Sequence, residues 1–323
     1  MSATAIDPSQ ILHTTLAPDA VASLLRSHWA LEPLRLELYA CRGRDTYAVE
    51  TADAYYALTL ARPADAQQLA CEAVLTTRAA ALTPPVSLAP LSAASGPLAA
   101  IEAAEGRRAA MLTPWATGTR LDQDRSIDAC AALGRSLAQL QSIRIPEALR
   151  PLPAIDTDNL LQALRAVVDE PALEPLRSLG CLATPLGRQT CLHGDIDATN
   201  AFVDDTGELR LIDFELAAQG PRLYDVASFL AQLYAWPWPK RDAAAAAFID
   251  AYLATVGVDA DEWATIPELV SQRLLAVLAR HLERAQWRGR EHVTTRFAKH
   301  LLRDAHAVRA DPPAWMCTAR QGD

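Results

Sequence analysis

Short alternating stretches dominate the first third of the chain, and two segments with helical spacing accompany them. Val21, Leu24, Leu25 and Trp29 recur every three or four residues, which predicts a helix over residues 17–29. Apolar residues then alternate or run continuously between turn-forming residues, and they predict three antiparallel strands at 34–41, 46–50 and 55–61. Helical spacing returns over 64–82, and two further strands are predicted near 98–102 and 108–113.

The chain after Pro114 has helical periodicity almost throughout. Ile127, Leu133, Leu137 and Leu140 mark one helix, and similar spacing predicts others at 160–168, 248–256, 269–287 and 293–308. One hairpin near 200–213 is embedded among these helices. The pattern therefore predicts an α+β protein, with an antiparallel sheet in its first part and mostly helices in the remainder.

Composition and charge limit the kinds of molecule that the protein is expected to bind. Half of the 323 residues are hydrophobic, so a chain of this size can bury a substantial core. Thirty basic against 39 acidic residues give a formal charge of −9, which disfavours nucleic acid and anionic membranes as principal partners. The first ten residues resemble no signal peptide, no stretch approaches a membrane span, and the cysteines are scattered. We expect a cytoplasmic protein, and the sequence does not predict its oligomeric state.

Polar residues with useful chemistry cluster at the predicted hairpin. Ala201–Val203 and Leu209–Ile212 are strand-like, and the four residues Asp204–Gly207 between them form a turn signal. A two-residue loop at Thr206-Gly207 would place Asn200 directly opposite Asp213, where paired Cβ atoms lie about 4.5–5.5 Å apart.

Asp195 leads into the same end of the hairpin, so two carboxylates and one amide are expected together. Oxygen ligands of this kind suit Mg²⁺, which keeps waters or phosphates in its remaining positions. Taken singly, Asp and Asn at a hairpin are ordinary turn formers. The combination of His193, Asp195, Asn200 and Asp213 at fixed spacing favours a functional site instead.

These residues carry a resemblance to a known family. His193-Gly194-Asp195, Asn200, Ile212-Asp213-Phe214 and Asp225-Val226-Ala227 resemble the catalytic segment of the aminoglycoside phosphotransferase/choline kinase family. The resemblance implies a bilobal protein-kinase-like fold, with a small antiparallel-sheet N-lobe that binds nucleotide over residues 1–115. A mostly helical C-lobe over residues 116–323 would then hold the catalytic loop and the acceptor site.

The resemblance also implies a role for each matching residue. Asp195 would accept or orient the proton of a substrate hydroxyl, and His193 would brace the loop that carries it. Asn200 and Asp213 would hold Mg²⁺ against the phosphates of ATP. Asp225 would hydrogen-bond the backbone of the loop. Phosphoryl transfer needs little beyond in-line positioning and neutralisation of phosphate charge, which such a set supplies.

The expected nucleotide site departs from the family pattern. Thr59 stands where the family has its phosphate-binding lysine, and residues 1–239 contain no lysine. Arg42 and Arg44, in the turn expected over the phosphates, are candidates to replace it, because arginine binds phosphate bidentately. Glu72 occupies the position of the lysine's partner. The alternatives are that both arginines are exposed turn residues and that Glu72 is a solvated helix residue.

Two further expectations concern adenine and the acceptor. The segment Met111–Trp115, including Thr113, would be the linker whose backbone contacts adenine, although a plain core strand explains it equally well. The aromatic segment Tyr234–Pro239 could form a wall of the acceptor pocket, or its rings could pack within the helical region.

The function implied by the resemblance is ATP-dependent transfer of a phosphoryl group to a hydroxyl of a small molecule. Amino alcohols, amino acids and aminoglycoside-like compounds are the acceptor classes, and the helix 17–29 directly before the first strand favours the homoserine-kinase-like branch. The alternative is a pseudokinase that binds nucleotide or ligand without turnover, because the phosphate-binding lysine is absent.

Overall fold

The computed structural model describes residues 15–41, 44–94, 96–179, 187–288 and 293–317. The chain divides into two compact units. The first comprises the residues up to Gly118 together with Pro146–Leu149 and Arg210–Glu215, and the second comprises the remainder. Arg42, one of the predicted phosphate-binding residues, lies outside the described residues.

The first unit is built on a five-stranded antiparallel sheet with strand order β1-β2-β3-β5-β4. Its elements, in chain order, are α1 (Pro18–Trp29), β1 (Arg35–Cys41), β2 (Asp45–Glu50), β3 (Tyr55–Ala61), a 3-10 turn (Pro63–Asp65), α2 (Ala66–Ala80), β4 (Ala99–Ala103) and β5 (Gly106–Pro114). All five strands and both helices were predicted, with bounds that differ by a few residues.

The sheet of this unit is buried on both faces. Alternate residues of β5 belong to different clusters, because successive side chains of a strand point to opposite faces. Ala110 and Leu112 pack in the cluster that includes Val21 and Leu25 of α1. Ala109 and Met111 pack in the cluster that includes Leu69 and Ala73 of α2. One helix therefore covers each face.

A fully buried ion pair lies inside the same sheet. Arg108 of β5 donates to Asp45 of β2 at 3.0 Å and to the carbonyl oxygens of Leu60 and Ala61, at 3.1 and 3.2 Å. Neither charged side chain is exposed to solvent. Burial of these charges is tolerated because each is paired and hydrogen-bonded.

The second unit is mostly helical. Its elements, in chain order, are β6 (Thr119–Arg120), α3 (Leu121–Asp124), α4 (Ile127–Leu140), α5 (Thr157–Leu164), a 3-10 turn (Glu170–Leu173), α6 (Glu174–Leu179), β7 (Gln189–Leu192), β8 (Ala201–Val203), β9 (Leu209–Leu211), a 3-10 turn (Phe214–Leu216), β10 (Ala218–Pro221), α7 (Leu223–Ala235), α8 (Arg241–Leu253), α9 (Ala260–Trp263), α10 (Ile266–Arg288), α11 (Thr295–Ala310) and α12 (Ala314–Cys317). Only the first residue of β9 belongs to this unit. β10 pairs with β7, and β8 pairs with β6, both antiparallel.

Close helix packing forms the core of this unit. The long helix α10 contacts α7 and α11, and α4 packs against α8. Gly134 allows the second contact, because a Cβ at this position would lie only 2.3 Å from the carbonyl oxygen of Phe248. The helix α4 begins where the Ser126 side chain accepts a hydrogen bond from the Ala129 N–H, at 3.1 Å.

The predicted register of the hairpin was wrong by one residue. Asp204 donates its N–H to the carbonyl of Glu208 at 2.9 Å, so the loop holds three residues instead of two. The Asp204 carboxylate accepts from the N–H groups of Thr206 and Glu208, which stabilises the longer loop. The prediction that Asn200 lies directly opposite Asp213 in the hairpin was therefore wrong.

No helix of the described residues combines the length and the apolar character that crossing a bilayer requires.

Candidate active site

A tight turn at His193-Gly194-Asp195 begins the loop that carries most of the predicted residues. Gly194 has a φ of +81°, in the left-handed region that favours glycine. A Cβ there would lie 2.1 Å from the carbonyl oxygen of Leu216. The turn therefore requires glycine at this position, and the residue that follows is Asp195. We refer to residues 193–200 as the 193–200 loop.

Asp225 of α7 holds the first residues of this loop through their backbone. Its two carboxylate oxygens accept from the N–H groups of His193 and Gly194, at 2.7 and 3.0 Å. The side chain is fully buried. Burial raises the pKa of the Asp225 carboxyl to about 7, while the two backbone hydrogen bonds act in the opposite direction.

Two more side chains of α7 hold the middle of the loop. Ser228 donates its hydroxyl to the carbonyl of Ile196 at 2.9 Å, and Gln232 accepts the N–H of Ala198 at 2.8 Å. Together with Asp225 they have the spacing i, i+3, i+7, which places all three on one face of the helix. One helix face therefore fixes the backbone of the 193–200 loop at several points.

His193 and Asn200 attach to Asp195 from within the loop. The buried His193 ring accepts the Asp195 N–H at Nδ1, at 3.3 Å. Asn200 donates its side-chain N–H to the Asp195 carbonyl at 3.0 Å. This bond leaves the Asn200 Oδ1 without a protein partner among the described residues, and an amide oxygen of this kind can bind a hard cation.

The Asp195 carboxylate is held by two arginines of α10. Arg273 donates to Oδ1 and also to the Gly194 carbonyl, at 3.2 Å for the second bond. Arg280 donates to Oδ2 at 3.0 Å. Burial alone would raise the pKa of Asp195, but the two guanidinium groups outweigh it and lower the pKa to about 2. Asp195 is therefore an ionised carboxylate at any physiological pH.

Asp213 lies in the segment Arg210–Glu215, which belongs to the first unit. Backbone and side-chain bonds attach this segment to the residues that follow α2. The Leu211 N–H donates to Val86 at 2.7 Å, and the Ser87 hydroxyl donates to the Leu211 carbonyl at 2.9 Å. Asp213 itself has a φ of +63°, a conformation that few non-glycine residues adopt, although Asp adopts it more often than most.

Arg44 and Glu72 form a buried ion pair in the first unit. Their side chains are only 10% and 7% exposed. Burial lowers the pKa of the Arg44 guanidinium, but the carboxylates of Glu72, Glu215 and Asp213 outweigh it and raise the pKa. Burial raises the pKa of Glu72, and Arg44 opposes this effect. Glu72 is thus a buried ion-pair partner, not the solvated helix residue that the sequence left open.

The remaining nucleotide-site residues lie in the sheet. Thr59 of β3 stands opposite Met111 of β5, and Ala57 stands opposite Thr113. The Trp115 N–H donates to the Tyr55 carbonyl at 2.9 Å, and the alternation of an antiparallel pair then directs the backbone groups of Met111 and Thr113 towards β3. These two residues have their main chain engaged within the sheet.

The tryptophans of the predicted aromatic wall, Tyr234–Pro239, pack against other side chains and also line a surface pocket. Trp238 packs edge-on against Phe229, at 5.8 Å between ring centroids, and Arg125 lies 5.3 Å from its ring centroid. Trp236 packs edge-on against His300. Trp236 and Trp238 also line a surface pocket with Pro237, Lys240, Arg241, Asp242 and Ala243.

Sequence reasoning missed the residues that hold the loop from outside. Ser228 and Gln232 interrupt the most apolar stretch of the chain at helical spacing from Asp225, and this signal could have identified them. Arg273 and Arg280 come from a helix about 80 residues after Asp195. Their spacing of seven residues is also typical of an ordinary solvated helix face, so no local signal distinguishes them.

Asn200 of the second unit and Asp213 of the first each offer an oxygen ligand of a kind that Mg²⁺ binds. Within the described part of the chain, no group of three or more His, Cys, Asp or Glu side chains could hold a metal ion. Mg²⁺ needs no such group, because one or two protein oxygens with waters and substrate phosphates complete its octahedral shell. The Asn200 Oδ1 and the carboxylate of Asp213 are oxygen ligands of the required type.

An antiparallel sheet before a mostly helical unit, with a glycine turn that leads into Asp195, is the arrangement of a protein-kinase-like fold. The model of the phosphotransferase enzyme family matches residues 42–269, and the chain belongs to this family. Members of this class transfer a phosphoryl group to an alcohol group of a small molecule, and the resemblance drawn from the sequence is thereby confirmed.

Similar proteins include one relative by sequence and several solved structures. An uncharacterized protein of Deinococcus radiodurans is 28% identical over 293 residues, which cover 82% of each chain. The amicoumacin kinase in complex with AMP-PNP, Ca²⁺ and its ligand has a TM-score of 0.70 at 14% identity, over 92% of this chain and 95% of that one. A microcompartment-associated aminopropanol kinase has a TM-score of 0.62 at 17% identity, over 92% and 99%. These similarities confirm the α+β, protein-kinase-like fold.

Proposed function

We propose that this protein transfers the γ-phosphoryl group of ATP, with Mg²⁺, to a hydroxyl of a small molecule. The observation that carries the proposal is the 193–200 loop, whose Asp195 is held rigidly by α7 and α10 within a chain of the phosphotransferase family. In the reaction, the acceptor oxygen bonds to the γ-phosphorus and the bond to the β,γ-bridging oxygen breaks. ADP leaves with that electron pair, and the hydroxyl proton passes through Asp195 to water.

Asp195 orients the acceptor hydroxyl in this proposal, and His193 and Asn200 fix its position. A carboxylate with a pKa of about 2 is a weak base, so it contributes alignment more than early proton abstraction. That role suits phosphoryl transfer, where little charge develops on the attacking oxygen before the transition state.

Mg²⁺ would neutralise the phosphates, held by Asn200 and Asp213. Arg44 would supply the second positive charge in place of the missing lysine, kept in position by Glu72. Its electrostatic interaction with Asp213 supports a location beside the metal ligand. The chain that follows β5 would contact adenine, because the main chain of Met111 and Thr113 is hydrogen-bonded to β3.

The acceptor classes remain those predicted from the sequence: an amino alcohol, an amino acid or an aminoglycoside-like compound. Two neighbours of known structure are kinases whose names refer to amicoumacin and aminopropanol, which supports a small organic acceptor.

The direct test measures ADP release from Mg-ATP with a panel of small hydroxyl compounds. We expect turnover by the wild type and a loss of about 100-fold or more in kcat for Asp195→Asn. Asp205→Asn, in the exposed hairpin loop, is the matched control and is expected to retain full activity. Mg-ATP binding by the wild type without turnover of any acceptor would favour the pseudokinase alternative.

A further inference from the structure

Arg280 has hydrogen-bonding capacity that the protein does not use. Among the described residues its only partner is Asp195, which receives one bond from Nη1 at 3.0 Å. A guanidinium group carries five N–H donors in a planar fork. The side chain is 20% exposed, so it is accessible while most of it is removed from water. Its other donors are therefore available to a ligand that reaches Asp195.

Arg273, two helical turns earlier on the same face of α10, plays a different part. It is buried, and it donates both to Asp195 and to the carbonyl oxygen of Gly194. These contacts attach the 193–200 loop to α10. Arg280 is the member of the pair that has solvent access.

Arg280 shares the carboxylate of Asp195 with a second guanidinium group. The carboxylate of Asp195 carries one negative charge and faces two guanidinium groups. The next carboxylate, Asp197, uses one oxygen to accept from Thr199 and Asn200 within the loop. Among the described residues no ion pair joins Asp197 to Arg280, whose carboxylate partner is Asp195. Of the two arginines, Arg280 is the one with solvent access and with N–H donors left for an anionic group.

We propose that the acceptor carries a carboxylate close to its reacting hydroxyl, and that Arg280 binds this carboxylate. The inference rests on the proposed function, in which the hydroxyl is oriented by Asp195. An acceptor placed there lies directly beside the free edge of the Arg280 fork, and arginine binds carboxylates bidentately. A purely cationic amino alcohol would instead bring a like charge to Arg280. Arg280 is thus a specificity-determining residue that selects hydroxy acids.

Three acceptors of equal chain length test this inference. They are 3-hydroxypropanoate, propane-1,3-diol and 3-aminopropan-1-ol, which end in an anion, a neutral group and a cation. We expect the wild type to have a kcat/KM for 3-hydroxypropanoate about tenfold or more above that for the diol, with the amine last. Arg280→Gln should abolish this preference, and Arg280→Lys should retain part of it.

Arg165→Gln is the control, because Arg165 is an exposed cation of the same unit. It removes the same charge and should leave the order of acceptors unchanged, and thermal unfolding checks that each variant folds.

Several results would overturn the inference. They are a preference for the amine, a carboxylate preference that survives in Arg280→Gln, or no phosphorylation of 3-hydroxypropanoate. Turnover of the diol or the amine in such a case would leave the proposed function standing. Absence of Mg-ATP binding by the wild type would contradict the proposed function itself.

Discussion

Arg44 and Glu72 form a buried ion pair in a chain that has no lysine before Lys240. The position aligned with the usual lysine is Thr59, in the middle of β3. Arg44 lies instead just before β2 and reaches Glu72 of α2 from there. The sequence indicated both residues as candidates, and it could not show that they contact each other, because 28 residues separate them.

Substitution at this pair separates its structural role from phosphate binding. Arg44→Met leaves Glu72 buried without a partner, which should destabilise the fold by about 3–5 kcal/mol. In the double variant Arg44→Met/Glu72→Gln the unpaired charge is gone, so most of the stability should return in thermal unfolding. We expect KM for ATP to stay raised by about tenfold or more in both variants, because the phosphates lose a positive charge.

Recovery of ATP use together with stability in the double variant would contradict this account. It would mean that Arg44 serves only to neutralise Glu72. Thr59→Lys in the same background provides a further comparison, since it restores a lysine at the position aligned with the family.

The α7 helix is the element that gives the 193–200 loop its shape. Asp225, Ser228 and Gln232 bond to four backbone groups of the loop from one helix face. None of these contacts touches the reacting atoms. They are positioning residues, and their effect on catalysis acts through the placement of Asp195 and Asn200.

Loss of the Gln232 contact should reduce turnover as well as stability. Gln232→Met keeps the side-chain volume but leaves the Ala198 N–H without its acceptor, at a cost of about 1–3 kcal/mol. We expect kcat to fall by about tenfold with KM for ATP little changed. Gln67→Met, at an exposed position of α2, is the control and should alter neither. An unchanged kcat in Gln232→Met would show that the loop is held in place without the Gln232 contact.

At the level of elements, hydrophobic periodicity predicted the long segments well and the short ones poorly. The bounds of α4 were predicted as observed, because its apolar residues recur over a full 14 residues. The pair β7 and β10 was missed, since each strand has four residues and β10 ends in Gly220-Pro221, which is typical of a turn. The hairpin register was missed because the Asp204 side chain, not the two-residue turn signal, determines the loop.

At the scale of the whole molecule, the candidate catalytic residues could be identified from the sequence because they lie within one short stretch of chain. His193, Asp195, Asn200 and Asp213 are separated by at most 20 residues. The arginines that determine the charge state of Asp195 come from α10, and only the tertiary fold brings them to it. Local sequence therefore indicated the reaction class, whereas the electrostatics of the site, and with them the expected acceptor, required the structure.

The central claim is that this chain uses Mg-ATP although it lacks the phosphate-binding lysine. Calorimetric titration of ATP, with and without Mg²⁺, into the wild type and Asp213→Ala tests it most directly. The account predicts binding that requires Mg²⁺ in the wild type and is lost in the variant, because Asp213 would hold the metal against the phosphates. No binding at millimolar ATP, or binding that is indifferent to both Mg²⁺ and Asp213, would contradict it.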